Sequence, residues 1–161
     1  MAAVDYFLKL DGIEGESQDS KHKGEINIDS FSWGASQSGG FAAGGGGGAG
    51  KVQVQDFHFS MATSKASPKL FLKCATGEHL KNATLTCRKA GRDQQEFLKI
   101  TLTEVLISSY SINGDNSIIA PTDSLSLNFA KIEMEYTPQS ADGSLGASVK
   151  AGWDLKLNKK V

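Results

Sequence analysis

The chain has 161 residues, 39% of them apolar and 22% charged, with 17 Lys and Arg against 18 Asp and Glu for a formal charge of -1. That length fits one domain, residues 1–161, whose single core buries roughly two-thirds of the unfolded surface. The near-balance of charge excludes the long-range field that nucleic-acid and acidic-membrane binders use, and it does little to oppose self-association.

No stretch has the length of apolar sequence that a membrane-spanning helix needs. The start, Met1-Ala2-Ala3-Val4-Asp5-Tyr6-Phe7-Leu8-Lys9, meets an acidic residue at once and has no basic region before its apolar run. It does not read as a signal peptide, so folding in a cytoplasm is expected. Cys74 and Cys87 supply neither a disulfide framework nor a redox pair nor half of a zinc ribbon, which leaves structural work to packing.

Period-two alternation dominates the chain and predicts a mainly β fold. Val4, Tyr6, Leu8 and Leu10 form the apolar face of a first strand that Asp11-Gly12 ends. The next strands change phase partway: Ile26 and Ile28 give way to Phe31, Trp33 and Ala35, and Val52 and Val54 to Phe57, Phe59 and Met61. Between these pairs runs the loop 38–50, with Gly39, Gly40 and Phe41, five consecutive glycines from Gly44 to Gly48, and Gly50. A loop of more than about twelve residues is uncommon in a compact domain unless it is functional or disordered. This one is uncharged and has maximal backbone freedom to lose, which predicts ordering against a partner.

One helix is expected around Ser64 to Thr76, capped by Ser64 or Ser67, with Pro68 in its first turn, Gly77 as its stop and a stripe of Leu70, Phe71, Cys74 and Ala75. The longest run, Phe97 to Ile112, carries Leu98, Ile100, Leu102, Leu106, Tyr110 and Ile112 on one face and turns apolar on the other at Val105 and Ile107. At about 3.3 Å per residue it spans about 50 Å, more than one small core needs, so part of it is assigned to a second sheet or a subunit contact. Asn113-Gly114 reads as a hairpin turn. Leu125, Leu127 and Phe129 then yield to Ile132, Met134 and Tyr136, and a last strand shows Val149, Ala151, Trp153, Leu155 and Leu157 on one face. Repeated phase slips imply bulges, or strands bending from one sheet to another, as in a small barrel or sandwich; the alternative is that a neighbouring chain covers part of the second face. Core positions are assigned to Trp33, Phe57, Phe59, Leu127, Phe129 and Trp153.

Catalytic chemistry finds little support. His22, His58 and His79 share no metal-ligand spacing with one another or with a cysteine. Asp56 and His58 lie on one strand face, the minimum of a relay, but no nucleophile is identifiable for them to activate. The glycine run lacks the Lys and Ser or Thr of a phosphate loop, and Lys51 opens a strand instead of a helix. Neither Asp11 to Glu16 nor Gly114-Asp115-Asn116 completes a calcium loop. The basic cluster Arg88, Lys89 and Arg92 is offset by Asp93 and Glu96 and has no stacking aromatics for nucleic acid. No cofactor, metal or catalytic residue is assigned.

Several segments resemble the haemolysin-coregulated proteins, the tube subunits of bacterial type VI secretion systems. They are Tyr6-Phe7-Leu8-Lys9-Leu10-Asp11-Gly12-Ile13-Glu14-Gly15-Glu16-Ser17, His22-Lys23-Gly24-Glu25-Ile26, Phe31-Ser32-Trp33-Gly34, Ser67-Pro68-Lys69-Leu70-Phe71, Ala75-Thr76-Gly77, Leu85-Thr86-Cys87-Arg88-Lys89-Ala90-Gly91, Leu106-Ile107-Ser108-Ser109-Tyr110, Ser126 to Glu133, and Gly152-Trp153-Asp154-Leu155. Together they cover nearly the whole chain in the family's order.

The resemblance implies a compact barrel or sandwich of two antiparallel sheets with one short helix at its side. Six copies would close into a ring, and rings would stack into a tube inside a contractile sheath, beneath a spike, to be expelled with small effector proteins and without a signal peptide. It implies partners of that system, with neither nucleic acid nor membrane insertion, and no enzymatic residues. A channel-facing sheet should then use the polar faces of long strands. The loop residues Gly39, Gly40, Phe41, Gly44, Gly45, Gly46, Gly47, Gly48 and Gly50 would contact the next ring, and Glu14, Glu16, Arg88, Lys89, Val105 and Ile107 are candidates for the subunit interface. The five-glycine run departs from the more polar loop expected of the family. A soluble ligand- or carbohydrate-binding barrel, with Trp33 or Trp153 lining its site under the loop as a lid, is the alternative, and it fails if both tryptophans pack in the core.

Overall fold

The computed structural model describes residues 4–39, 50–91 and 93–161. In chain order its elements are β1 (Val4–Leu10), β2 (Ile26–Asn27), β3 (Ser30–Ser32), β4 (Ala35–Ser36), β5 (Gln53–Val54), β6 (Phe57–Ala62), α1 (Ser67–Thr76), β7 (Leu80–Lys89), β8 (Glu96–Asn113), β9 (Thr122–Tyr136), β10 (Val149–Asp154) and β11 (Lys159–Lys160). Nine strands form one antiparallel sheet in the order β11-β10-β9-β8-β7-β1-β2, with β6 on the first half of β9 and β3 on β6; β4 and β5 make a separate two-stranded sheet.

The long pair β8 and β9 is the spine, and its bend encloses the core. Ile100 and Leu102 are buried, then the phase switches and Val105 and Ile107 are buried instead. At the switch Glu104 adopts φ 53°, a left-handed conformation that costs a non-glycine residue about 1–2 kcal/mol. The register runs from Thr103↔Lys131 to Val105↔Phe129 without a lost residue, and β9 changes its buried phase at the same level, from Ile132 to Phe129. Both strands therefore turn over together. The two halves of the sheet face each other across one cluster that includes Leu8, Phe57, Leu85, Ile100, Ile107 and Leu127.

Three local expectations are corrected. The helix has Ala66, not a serine, at its N-cap, because the Ser67 hydroxyl donates to Asp123 Oδ2 (2.5 Å) and accepts the Ser64 N–H (3.0 Å). Its buried stripe is Ala66, Ser67 and Leu70 with Cys74 half-buried, while Phe71 and Ala75 are exposed; Gly77 at φ 69° does end it, donating to the Lys73 carbonyl. The β8–β9 connection runs from Gly114 to Pro121 and is not a tight turn at Asn113-Gly114. Finally, the apolar face of the last strand is covered only in part: Val149, Ala151 and Leu157 are exposed while Trp153 and Leu155 are half-buried, since this strand lies at the edge of the core.

Asp123, fully buried, ties the helix to the spine. It accepts hydrogen bonds from Ser67 Oγ, Thr63 Oγ1 (2.7 Å) and Tyr110 Oη (3.0 Å), so its charge is met by three hydroxyls. Burial, with the Asp123 carboxylate second, raises the Tyr110 phenol above its ordinary range. Burial also pushes the Cys87 thiol up to about 12, which makes it an inert packing residue.

Candidate functional site, a hydroxyl-lined sheet face

Burial of Phe57, Phe59, Met61, Leu125 and Leu127 sends the alternate residues of β6 and β9 to the opposite face. A bulge at Ser108, between Ile107↔Leu127 and Ser109↔Ser126, keeps the end of β8 in step with that face. The result is two rows across four strands. One row reads Ser32, His58, Ser126, Ser109, and the next reads Ser30, Ser60, Ser124, Ser111. Neither row contains an Asp, Glu, Lys or Arg. The rows line a shallow groove of about 340 Å³.

Hydrogen bonds stay local to this face. Ser30 and Ser60 hydroxyls meet at 2.5 Å, and His58 Nδ1 meets Ser126 Oγ at 2.6 Å. Asp56, the acid expected beside His58, is engaged elsewhere: it accepts from Ser108 Oγ (2.6 Å) and Asn128 Nδ2 (2.9 Å). Asp56 lies just before β6 and His58 within it, and the two form no relay. The serine rows were overlooked in the sequence, although the spacing Ser30-x-Ser32, His58-x-Ser60, Ser109-x-Ser111 and Ser124-x-Ser126 was readable there. What the sequence lacks is the register that aligns them.

The other sequence-selected residues fall in distinct places. Val105 and Ile107 are buried in the chain's own core, so neither offers a surface to a neighbouring subunit. Arg88 is also buried: its guanidinium donates twice to Asp19 (3.0 and 2.7 Å) and once to Asp5 (3.2 Å), and it lies over the Phe7 ring at 4.7 Å. That contact holds the Asp19 carboxyl down at about 2, chiefly through the Arg88 hydrogen bonds. Beside it His22 is buried against Phe7 with its ring nitrogens on Glu25 (2.8 Å) and Glu96 (2.7 Å). Glu14, Glu16 and Lys89 are exposed, Glu14 near Lys65 and Lys89 bonded to Gln139.

Of the core candidates, Phe57, Phe59, Leu127 and Phe129 are buried, whereas Trp33 packs half-buried on the margin and Trp153 lies outside the cluster. The tryptophans line a cleft of about 520 Å³ with Val52, Val54 and Ile132, near Gln37 and Gly50. Gly39 and Gly50 are exposed at the ends of the long loop; Gly40, Phe41, Gly44, Gly45, Gly46, Gly47 and Gly48, and Arg92 of the basic cluster, lie outside the described residues.

Residues 7–136 match the family model described as type VI secretion system effector, Hcp. The chain is 48% identical over 158 residues to protein Hcp1 of Pseudomonas aeruginosa, spanning 97% of this chain and 98% of that one. The chain belongs to the Hcp family. Among solved structures, one described as a type six secretion system protein superposes with TM-score 0.94 at 30% identity, covering 99% of this chain and all (100%) of that one. Hcp1 from Salmonella typhimurium follows with TM-score 0.82 at 38% identity, over 99% and 100% of the two chains. Hcp proteins form hexameric rings that stack into the inner tube of the type VI secretion system, and this chain is a structural subunit of that kind, not an enzyme.

Proposed function

We propose that the hydroxyl-lined face of β3, β6, β9 and β8 is the surface this chain turns to the channel of its ring. The observation that carries the reading is the pair of rows without a fixed charge, on a molecule whose other sheet half shows Lys99, Glu133, Glu135 and Lys150. A wall of hydroxyls offers hydrogen bonds to a passenger without strong Coulombic retention. Such a wall suits transient carriage of small effector proteins and their release.

In this reading the subunit assembles in the cytoplasm, meets the sheath on its outside and the spike at its tip, and leaves the cell with the tube. The segment from Gly39 to Gly50 meets the next ring. A Ser60→Cys substitution in a Cys74→Ser background, labelled with maleimide-linked gold and viewed by electron microscopy down the ring axis, tests the orientation. Density inside the channel is expected, and density around the outer circumference would refute it.

A further inference from the structure

The exposed large apolar side chains among the described residues separate into two groups. Phe71 and Leu72 on α1, Ile112 at the end of β8, and Ile118 and Ile119 in the β8–β9 connection lie at one end of the spine. Met134, Tyr136, Leu145, Val149, Leu157 and Val161, from the second half of β9 onward, make up the other.

The second group has a definite origin. Across β8, β9 and β10 the register stacks three apolar rows: Leu102, Ile132, Trp153; then Ile100, Met134, Ala151; then Leu98, Tyr136, Val149. Exposure rises outward along them, from 5% at Ile132 to 41% at Met134 and 68% at Val149. The reverse face of the same strands carries Lys99, Glu135 and Lys150 in one row. This patch is therefore the core-facing side of the sheet, continuing beyond the point where the rest of the chain covers it. The first group is convex, since Phe71 and Leu72 stand more than half exposed on a helix whose other side is buried at Leu70, and Phe71 is buttressed edge-on by Tyr110 at 6.1 Å.

A closed ring of identical chains needs two different, complementary patches on each copy. An apolar helix face and an apolar sheet face are the pair that packs in layered folds, and uncovered apolar patches of this kind mark interfaces. We propose that α1, through Phe71 and Leu72, packs on the Met134, Tyr136 and Val149 sheet face of the next copy in the ring. This placement rests on the hexameric reading of the family.

The test uses two variants of the full chain, Phe71→Glu with Leu72→Glu, and Met134→Lys with Val149→Lys, checked for folding by far-ultraviolet circular dichroism and sized by native mass spectrometry. Leu72→Glu alone and Val149→Lys alone stand in for any variant that fails to fold. The wild type should show a sixfold mass, and each variant alone a monomer. A one-to-one mixture should give dimers and no ring, because the one contact it can form joins the intact sheet face of the first variant to the intact helix of the second. Sixfold rings from either variant, or a mixture that stays monomeric, would overturn the proposed contact. A wild type that never reaches sixfold mass would instead refute the ring reading on which it stands.

Discussion

Replacing Arg88 with Met separates a residue of the fold from a residue of the interface. Met keeps an apolar stem in place and removes the guanidinium, which is 3% exposed and holds Asp19 and Asp5, at 18% and 38% exposure. Breaking a buried pair ordinarily costs about 3–5 kcal/mol because a charge is left uncompensated. Here the abandoned carboxylates reach water, and the Arg88 Nε, which has no hydrogen-bond partner among the described residues, is removed as well, so a loss of about 2–3 kcal/mol is expected.

Acid dependence provides an independent reading of the same contact. The Asp19 carboxyl sits at about 2 in the fold against 3.8 when unperturbed, so its stabilisation is complete above pH 4 and disappears as pH falls through about 2. That depression is worth at most about 2.4 kcal/mol, which screening at a partly exposed group reduces to about 1–2 kcal/mol. Urea unfolding followed by circular dichroism at pH 7, 4 and 2.5, at matched protein concentration, measures both effects. The wild type should lose more than half of this increment between pH 4 and 2.5 and Arg88→Met should not. Equal stability of the two proteins at pH 7, with the acid loss retained in the variant, would refute the assignment of Arg88 to the fold.

Asp123→Asn should cost about 2–3 kcal/mol by urea unfolding, because an amide cannot accept from the Ser67, Thr63 and Tyr110 hydroxyls as a carboxylate does. Gly15→Ala should cost about 1–3 kcal/mol in thermal or urea unfolding, since the added methyl would lie 2.5 Å from the Glu25 carbonyl oxygen and 2.8 Å from the Ile26 Cα. Charged residues in place of Gly44 to Gly48 should leave circular dichroism unchanged while shortening the tubes seen by electron microscopy; loss of the folded signal would place the segment in the fold.

Much of the core was legible because alternation is a local signal. Phe57, Phe59, Leu125 and Leu127 follow from their spacing, and the phase slips along β8 and β9 correctly implied a bend. The errors came where the deciding contact is remote in sequence. Ser67 looked like a helix cap until Asp123, 56 residues away, took its hydroxyl. Val105 and Ile107 looked like a second, outward face because nothing local announces that Glu104 enters the left-handed region and turns the strand over. Trp153 has the right alternation for a core residue, yet β10 lies at the core's edge, a fact of topology. The serine rows were present as Ser-x-Ser pairs, and only strand register makes them one surface.

Sedimentation velocity of the wild-type chain across a concentration series tests most directly whether this is a ring-forming subunit. A discrete species of six times the chain mass of 17.1 kDa is expected. A monomer at every concentration would contradict it.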